Sequence, residues 1–403
     1  MSKPSWQERA RLAQARRDTS IAGIQPPIPA IPKDLPISVI HLPAALLSAR
    51  EVEITESKTE SLLAALASGS ITAREVTGAF LRRAGLAQGL ANCISELLPQ
   101  QALARADELD AHMARFKKAT GPLHGLPISV KECIGMKGLI YHGGFVAWAE
   151  KEAPDDALLL KIVLKAGCVL YARTNEPQTM GLYGLKPTAL RLPKGGCANP
   201  HLGSGNVIGV VGPLSTSLEG VKIFMKTVVD SKPWIEDPSL VPLPWRTGCF
   251  NQRATESKRL KIGVMGSDGI VTPHPPVTRA MQVMVNQLKK IEDVQIVEWK
   301  PYKHDLASEL VSSLYYPDAV KETAEIIDSS GEPWRPLSKR FLPAENPFIS
   351  YRSPGEMYEL RDRMEKYKLE YSQSLKHLYL CYCNTDQVQS GTLQLHIAPL
   401  MEA

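Results

Sequence analysis

One stretch restricts the folds open to this chain more than any other. Gly121-Pro-Leu-His-Gly125 is a turn, and Leu126-Pro-Ile-Ser-Val-Lys131 after it reads as a strand. Asp155-Asp-Ala-Leu-Leu-Leu-Lys-Ile-Val-Leu-Lys165 is then an amphipathic helix closed by Gly167, and Cys168-Val-Leu-Tyr-Ala172 is an apolar strand. Strand, helix and strand at this spacing form a βαβ unit, in which the crossover helix covers one face of a parallel pair. The expected fold class is α/β: a mixed sheet with helices on both faces, preceded by an N-terminal helical arm and treated as one domain. A later strand, Leu260-Lys-Ile-Gly-Val264, and a helix from Val277 to about Ile291 extend the pattern.

Helices precede the first strong strand. Residues 5–18 carry Trp6, Ala10, Leu12 and Ala13 among many charges, which suits a polar, partly amphipathic helix. The stretch Gln25-Pro-Pro-Ile-Pro-Ala-Ile-Pro-Lys-Asp-Leu-Pro36 has no helix capacity and reads as an extended arm laid over the surface. Ser57-Lys-Thr-Glu60 is a capping box opening a helix through Leu62, Leu63 and Leu66 that Gly69 stops. Thr72-Ala-Arg-Glu75 is a second box, with Ile71 and Val76 at the staple positions. A third helix, about Gln100 to Phe116, lines up Ala102, Ala106, Leu109 and Met113.

Several chemistries are disfavoured. The 47 basic and 42 acidic residues leave a net charge of +5, scattered over 403 residues, so the basic footprint of a nucleic-acid binder is missing. No apolar run approaches the length of a membrane span, and the polar N-terminus lacks the apolar core of a secretory signal. The 7 cysteines, spread from Cys93 to Cys383, read as free thiols in a reducing compartment, so the expected address is the cytoplasm. Gly203-Ser-Gly-Asn-Val-Ile-Gly209 has its third glycine one residue late for a dinucleotide loop, and the histidines make no zinc-binding pair.

The specific signal is composite. It starts at Gly121-Pro-Leu-His-Gly-Leu-Pro-Ile-Ser-Val-Lys-Glu132 and resumes with Asp155-Asp-Ala157, Lys165-Ala-Gly167 and Thr174-Asn-Glu-Pro-Gln-Thr-Met180. It continues with Tyr183-Gly-Leu-Lys-Pro-Thr188, Gly212-Pro-Leu-Ser215, Ile262-Gly-Val264 and Val271-Thr-Pro-His-Pro-Pro-Val-Thr278. In this order, from about residue 50 to about 375, the chain resembles the amidase signature family, most closely its fungal acetamidase and general-amidase branch. The resemblance implies hydrolysis of carbon–nitrogen bonds in small amides by a Ser–Ser–Lys arrangement. It assigns Lys131 as the ultimate base, acting through a serine held by a cis peptide on a second, nucleophilic serine. A lysine works as a base only when its surroundings lower its pKa towards neutrality, and a serine attacks only beside such a base. No cofactor is implied, the partner is a small-molecule amide, and a homodimer is left open.

The pattern breaks where the serines should be. In the family, several dozen residues with a Gly-Gly-Ser-Ser-Gly-Gly-type loop and the nucleophile separate Thr-Asn-Glu-Pro from Tyr-Gly-Leu-Lys-Pro-Thr. Here Met180 is followed directly by Gly181-Leu-Tyr-Gly, and Gly-Gly-Ser occurs nowhere in the chain; Gly195-Gly196 precedes Cys197, and Ser204 lies downstream of Lys-Pro-Thr. The resemblance also stops near Lys376, before His377-Leu-Tyr-Leu-Cys-Tyr-Cys383 and a tail to Ala403. The expectation is three segments: 1–50 as helix and proline-rich arm, 51–376 as an amidase-like domain deleted internally at 180/181, and 377–403 as an atypical tail. The core is expected to be incomplete and this chain form catalytically inactive. The alternatives are a non-enzymatic amidase-like scaffold and a truncated gene or splice product.

Overall fold

The computed structural model describes residues 4–175, 182–201, 203, 205–246, 260–341, 346–374, 379–383 and 395–398, the last two as backbone. The Met180–Gly181 junction, Ser204 and most of the 377–403 tail lie outside the described residues. The chain divides into two compact units: Met1–Leu202 with Gly209–Trp245 and Glu325–Pro333, and Gly203–Ile208 with Arg246–Ala324 and Trp334–Ala403.

The first unit begins with helix α1 (Trp6–Ala22), capped by Ser5, whose hydroxyl accepts the Glu8 N–H at 3.3 Å. The proline-rich arm follows as extended backbone, as expected, with Ile24 buried and Ile28 and Ile31 half-buried. Helices α2 (Leu42–Leu46), α3 (Ala49–Glu56), α4 (Thr59–Ser68) and α5 (Ala73–Ala91) come next. The Ser57 capping box does not form. Ser57 ends α3, and α4 starts after Lys58 without a side-chain cap. The complete box belongs to Ser48 and Glu51 one helix earlier: Ser48 N–H donates to the Glu51 carboxylate at 2.9 Å, and Glu51 N–H to the Ser48 hydroxyl at 3.3 Å. At Thr72 the hydroxyl does accept the Glu75 N–H at 3.1 Å, but the Glu75 carboxylate turns to Arg50 at 2.8 Å. The Asp110 carboxylate takes the Ala73 and Arg74 N–H groups instead, at 2.7 and 3.0 Å.

Strand β1 (Ile94–Leu97), helix α6 (Pro99–Phe116), strand β2 (Pro127–Lys131), helix α7 (Leu158–Lys165) and strand β3 (Val169–Thr174) complete the core of this unit. β2 pairs with β3 in parallel and β1 with β3 antiparallel, in the order β1-β3-β2. The βαβ unit read from the sequence is therefore present, in a mixed sheet. Helices α4, α5 and α6 pack Leu66, Val76, Ala106 and Leu109 with Val169 into one cluster. Helix α7 packs Leu160 and Val163 with Val130, Cys168 and Leu170 into another. Each such aliphatic side chain, 0–7% exposed, contributes about 1.5–3 kcal/mol by leaving water. A two-stranded ribbon, β4 (Tyr183–Gly184) with β5 (Leu214–Ser215), and helix α8 (Leu218–Asp230) follow.

The second unit holds strands β6 (Leu260–Met265), β7 (Val294–Glu298), β8 (Tyr379–Cys383) and β9 (Leu395–Ala398) in the order β7-β6-β8-β9. β6 is parallel to both neighbours, and β8 and β9 are antiparallel. Part of the 377–403 tail thus forms sheet. Helix α9 (Pro275–Leu288) stands where the sequence placed it, and helices α10 (His304–Tyr315) and α11 (Pro354–Ser374) bury Leu310, Leu314 and Leu360 together.

The turn that delivers β2 is tightly built. A Cβ on Gly121 would stand 2.5 Å from the Ala166 carbonyl oxygen and 2.9 Å from its carbon, backbone that cannot swing aside. Gly121→Ala is expected to lower stability by about 1–3 kcal/mol, read as a lower urea midpoint at unchanged slope. His124, 3% exposed, keeps its imidazole neutral: Thr120 N–H donates to Nδ1 at 3.3 Å, and the Thr120 hydroxyl lies 3.0 Å from the same atom. Burial first, then the His112 charge, lowers its pKa below the ordinary 6.5. Protons then bind the unfolded chain more readily, so the stabilisation is complete above pH 6.5 and is lost as pH falls through and below that value. Melting at pH 7.5 and 5.5 should show this loss, and His124→Gln should reduce it; equal pH dependence in both proteins would remove His124 as the cause.

Candidate active site around Lys131

Lys131 ends β2, opposite Thr174 of β3, and is half-buried. Val130 is buried at 7%, Ile128 half-buried and Ser129 exposed, so the strand is less enclosed than its apolar residues suggested. Backbone hydrogen bonds tie both ends of the strand to β3: Leu126 C=O accepts from Val169 N–H at 2.9 Å and Glu132 N–H donates to Thr174 C=O at 2.8 Å.

After Lys131 the chain turns sharply and is held from several sides. Ile134 N–H donates to Lys131 C=O at 3.0 Å, Ala198 N–H to Cys133 C=O at 2.7 Å, and Gly135 N–H to Gly196 C=O at 2.9 Å. Gly196 has φ +88° and lies against the Ala157 backbone, which only a glycine allows. This contact brings Cys197 opposite Ile134. Burial pushes the Cys197 thiol up to about 11, Cys133 adds to that, and the charges of Lys194 and Lys131 oppose it. At neutral pH Cys197 is thus a protonated thiol within the field of Lys131, a poor nucleophile.

Glu132 and Arg173 lie beneath the turn. Arg173 is 1% exposed and Glu132 5%. The Arg173 guanidinium donates to the Glu132 main-chain oxygen at 2.6 Å and to the Glu96 carboxylate at 3.2 Å, and stands 3.8 Å from the Glu132 carboxylate. That carboxylate accepts the His142 N–H on one oxygen and the Gly143 N–H, at 3.0 Å, on the other. The His142 Nδ1 accepts the Gly144 N–H at 3.0 Å. Burial lowers the His142 pKa; the Glu132 carboxylate opposes this, while Arg173 and Arg16 reinforce it. The loop so anchored carries Tyr141, Phe145 and Trp148, with the Lys151 ammonium 4.1 Å from the Trp148 ring centre and 5.0 Å from that of Tyr141.

A separate cavity of about 410 Å³ is lined by Ser48, Arg50, Glu51, Glu75 and Arg82 among others. Its arginines are already paired, Arg50 with Glu53 and Glu75, and Arg82 with Glu51. It does not include Lys131.

Of the residues singled out in the sequence, only Lys131 is a described site residue. Glu132, Arg173, His142 and Cys197 were missed as its neighbours. Glu132 stands next to Lys131 in the motif, and Arg173 follows the expected strand end at Ala172; β3 instead runs through Arg173 to Thr174.

The mixed α/β fold has known relatives, and the comparisons name the family. The profile of the Amidase family matches residues 75–181 and 178–379, so the chain belongs to that family of amide-cleaving hydrolases. The acetamidase of Emericella nidulans is 33% identical over 429 residues, covering 91% of this chain and 77% of its own. The acetamidase of Aspergillus oryzae is 32% identical over 435 residues, covering 92% and 78%. Both alignments are longer than the 403-residue chain itself, so these relatives carry residues that this chain lacks. A fatty acid amide hydrolase structure superposes with a TM-score of 0.82 at 23% identity, covering 94% of this chain and 77% of its own, which establishes the shared fold. No helix among the described residues is long and apolar enough to cross a membrane.

Proposed function

We propose that this chain derives from a hydrolase of small carboxamides in which Lys131 is the ultimate base, and that the form written here does not carry out that hydrolysis. The observation that carries the reading is the break in the family match: its two segments meet at residues 178–181, where the sequence runs from Met180 to Gly181 without a Gly-Gly-Ser segment. The two acetamidase alignments, longer than this chain, agree with residues being absent from it.

The chemistry follows from what is present. Lys131 sits at a strand end with its turn fixed by neighbouring backbone and side-chain bonds, the preorganisation that a proton-transfer group needs. On this reading the proton relay and the attacking hydroxyl belonged to the Gly-Gly-Ser segment that the sequence lacks, and Cys197, which lies within the field of Lys131, is held as a thiol by burial. Without them no acyl-enzyme forms by the family route. The substrate class, a short linear amide, comes from the fungal acetamidases to which the chain is similar, and the reaction requires water and side chains alone.

Sequencing the transcript across the codons for Met180 and Gly181 tests the origin of this form. An in-frame segment encoding Gly-Gly-Ser in a longer transcript is the expected result. Its absence from every transcript would sink the splice-product reading and leave a shortened scaffold.

A further inference from the structure

We propose that Glu132 is the positioning residue of the Lys131 site: its carboxylate clasps the Tyr141–Trp148 loop to the turn that carries Lys131, with Arg173 as its buried counter-charge. This inference rests on the assignment of Lys131 as the site's base.

Three observations carry it. The Glu132 side chain is buried, and besides its ion pair with Arg173 both oxygens accept consecutive backbone N–H groups, those of His142 and Gly143. A carboxylate bridging two successive amides fixes the direction of a loop, not only its distance. Directly after these two donors the chain turns through left-handed backbone that glycine accommodates, Gly143 at φ +56° and Gly144 at φ +90°. Arg173 then grips the same residue from the sheet side through its main-chain oxygen, so Glu132 is fixed at both ends. Lys131 is the preceding residue. The turn that carries it is therefore held by the same clasp that sets where the aromatic loop lies. The loop is also tied from behind, since Arg16 donates to Ala149 C=O at 2.9 Å and Glu332 accepts the Val146 N–H at 3.0 Å. The clasp thus acts on the end of the loop next to Lys131.

The test is trace acetylation of the full chain with acetic anhydride, read by peptide mass spectrometry, with exposed Lys118 as internal reference. In Glu132→Gln one of the two N–H groups meets an amide NH₂ instead of an oxygen, so the clasp is half lost. Labelling of Lys131 relative to Lys118 is expected to rise about threefold to tenfold, the factor that goes with losing one or two hydrogen bonds. Arg173→Lys should shift it in the same direction by less. Glu96→Gln, which shares Arg173 but does not touch the turn, should leave the ratio unchanged. An unchanged ratio in Glu132→Gln, or an equal rise in Glu96→Gln, overturns the positioning role. Should Glu132→Gln fail to fold, the Arg173→Lys and Glu96→Gln pair decides by the same criterion. The assignment of Lys131 as a base is tested separately, by the pH profile of its labelling in the unaltered chain; an ordinary lysine profile there removes the base and leaves the clasp to be judged by the ratios alone.

Discussion

Purified protein given acetamide or another short-chain amide is expected to release ammonia no faster than its Lys131→Ala variant. The reason is quantitative. Removing the nucleophile of a serine hydrolase costs about 10⁶-fold in turnover, and removing its activating partner as well adds little, because the groups act as a unit. On the function proposed above, Lys131 without the two serines is in that position, and Cys197 is a poor substitute, since burial pushes its thiol up to about 11. Placing the corresponding segment of the Emericella nidulans acetamidase between Met180 and Gly181 should restore hydrolysis, and Lys131→Ala in that restored chain should abolish it. Turnover by the chain as written, lost on Lys131→Ala, would show that the reading of inactivity is mistaken.

Arg173→Leu is expected to produce the largest loss of stability of any single change in the first unit, about 3–5 kcal/mol, because it leaves a buried carboxylate without its counter-charge. Glu132 would keep its two amide donors but lose the guanidinium 3.8 Å away, and Glu96 would lose its partner at 3.2 Å. The double change Arg173→Leu with Glu132→Leu should cost less than the two single changes added together, since the second removes the charge that the first stranded. Urea unfolding of the four proteins measures this cycle. Additive losses would mean that the two side chains are not coupled and that the buried arginine is held by Glu96 and the Glu132 main-chain oxygen.

How much of this was legible in the sequence depended on how local the cause was. The βαβ unit was readable because its signals, the Gly121–Gly125 turn, the apolar face of α7 and Gly167, all lie within the segments they shape. The place of Lys131 at the end of β2 was readable because the strand and its terminating charge are contiguous in sequence. The Ser57 box failed because Ser48-x-x-Glu51 satisfies the same pattern nine residues earlier and ends its helix on Ser57; the pattern cannot say which of two boxes the backbone takes. Arg173 failed for a different reason. A charge in an apolar run reads as the strand's end unless its partners are known, and these come from Glu96 and Glu132, 77 and 41 residues away in the chain. The clasp on the 142–144 loop needed the same non-local knowledge.

The proline-rich arm has a consequence for how the chain is made. Helix α5 presents two bare glycines, Gly85 and Gly89, and the arm fills the notches with Ile28 and Ile31, the space a Cβ at either glycine would claim. Arg82 adds donors to the Pro26 and Pro27 carbonyls. The arm leaves the ribosome first and its receptor comes later: at about 5–20 residues per second, Ile28 waits roughly 3–12 s for Gly89 to be synthesised. For that interval the isoleucines are a hydrophobic lead segment without a dock, open to a holding chaperone. Nascent chains stalled before Gly89 should be cut readily by trypsin at Lys33, and chains stalled well beyond α5 should resist.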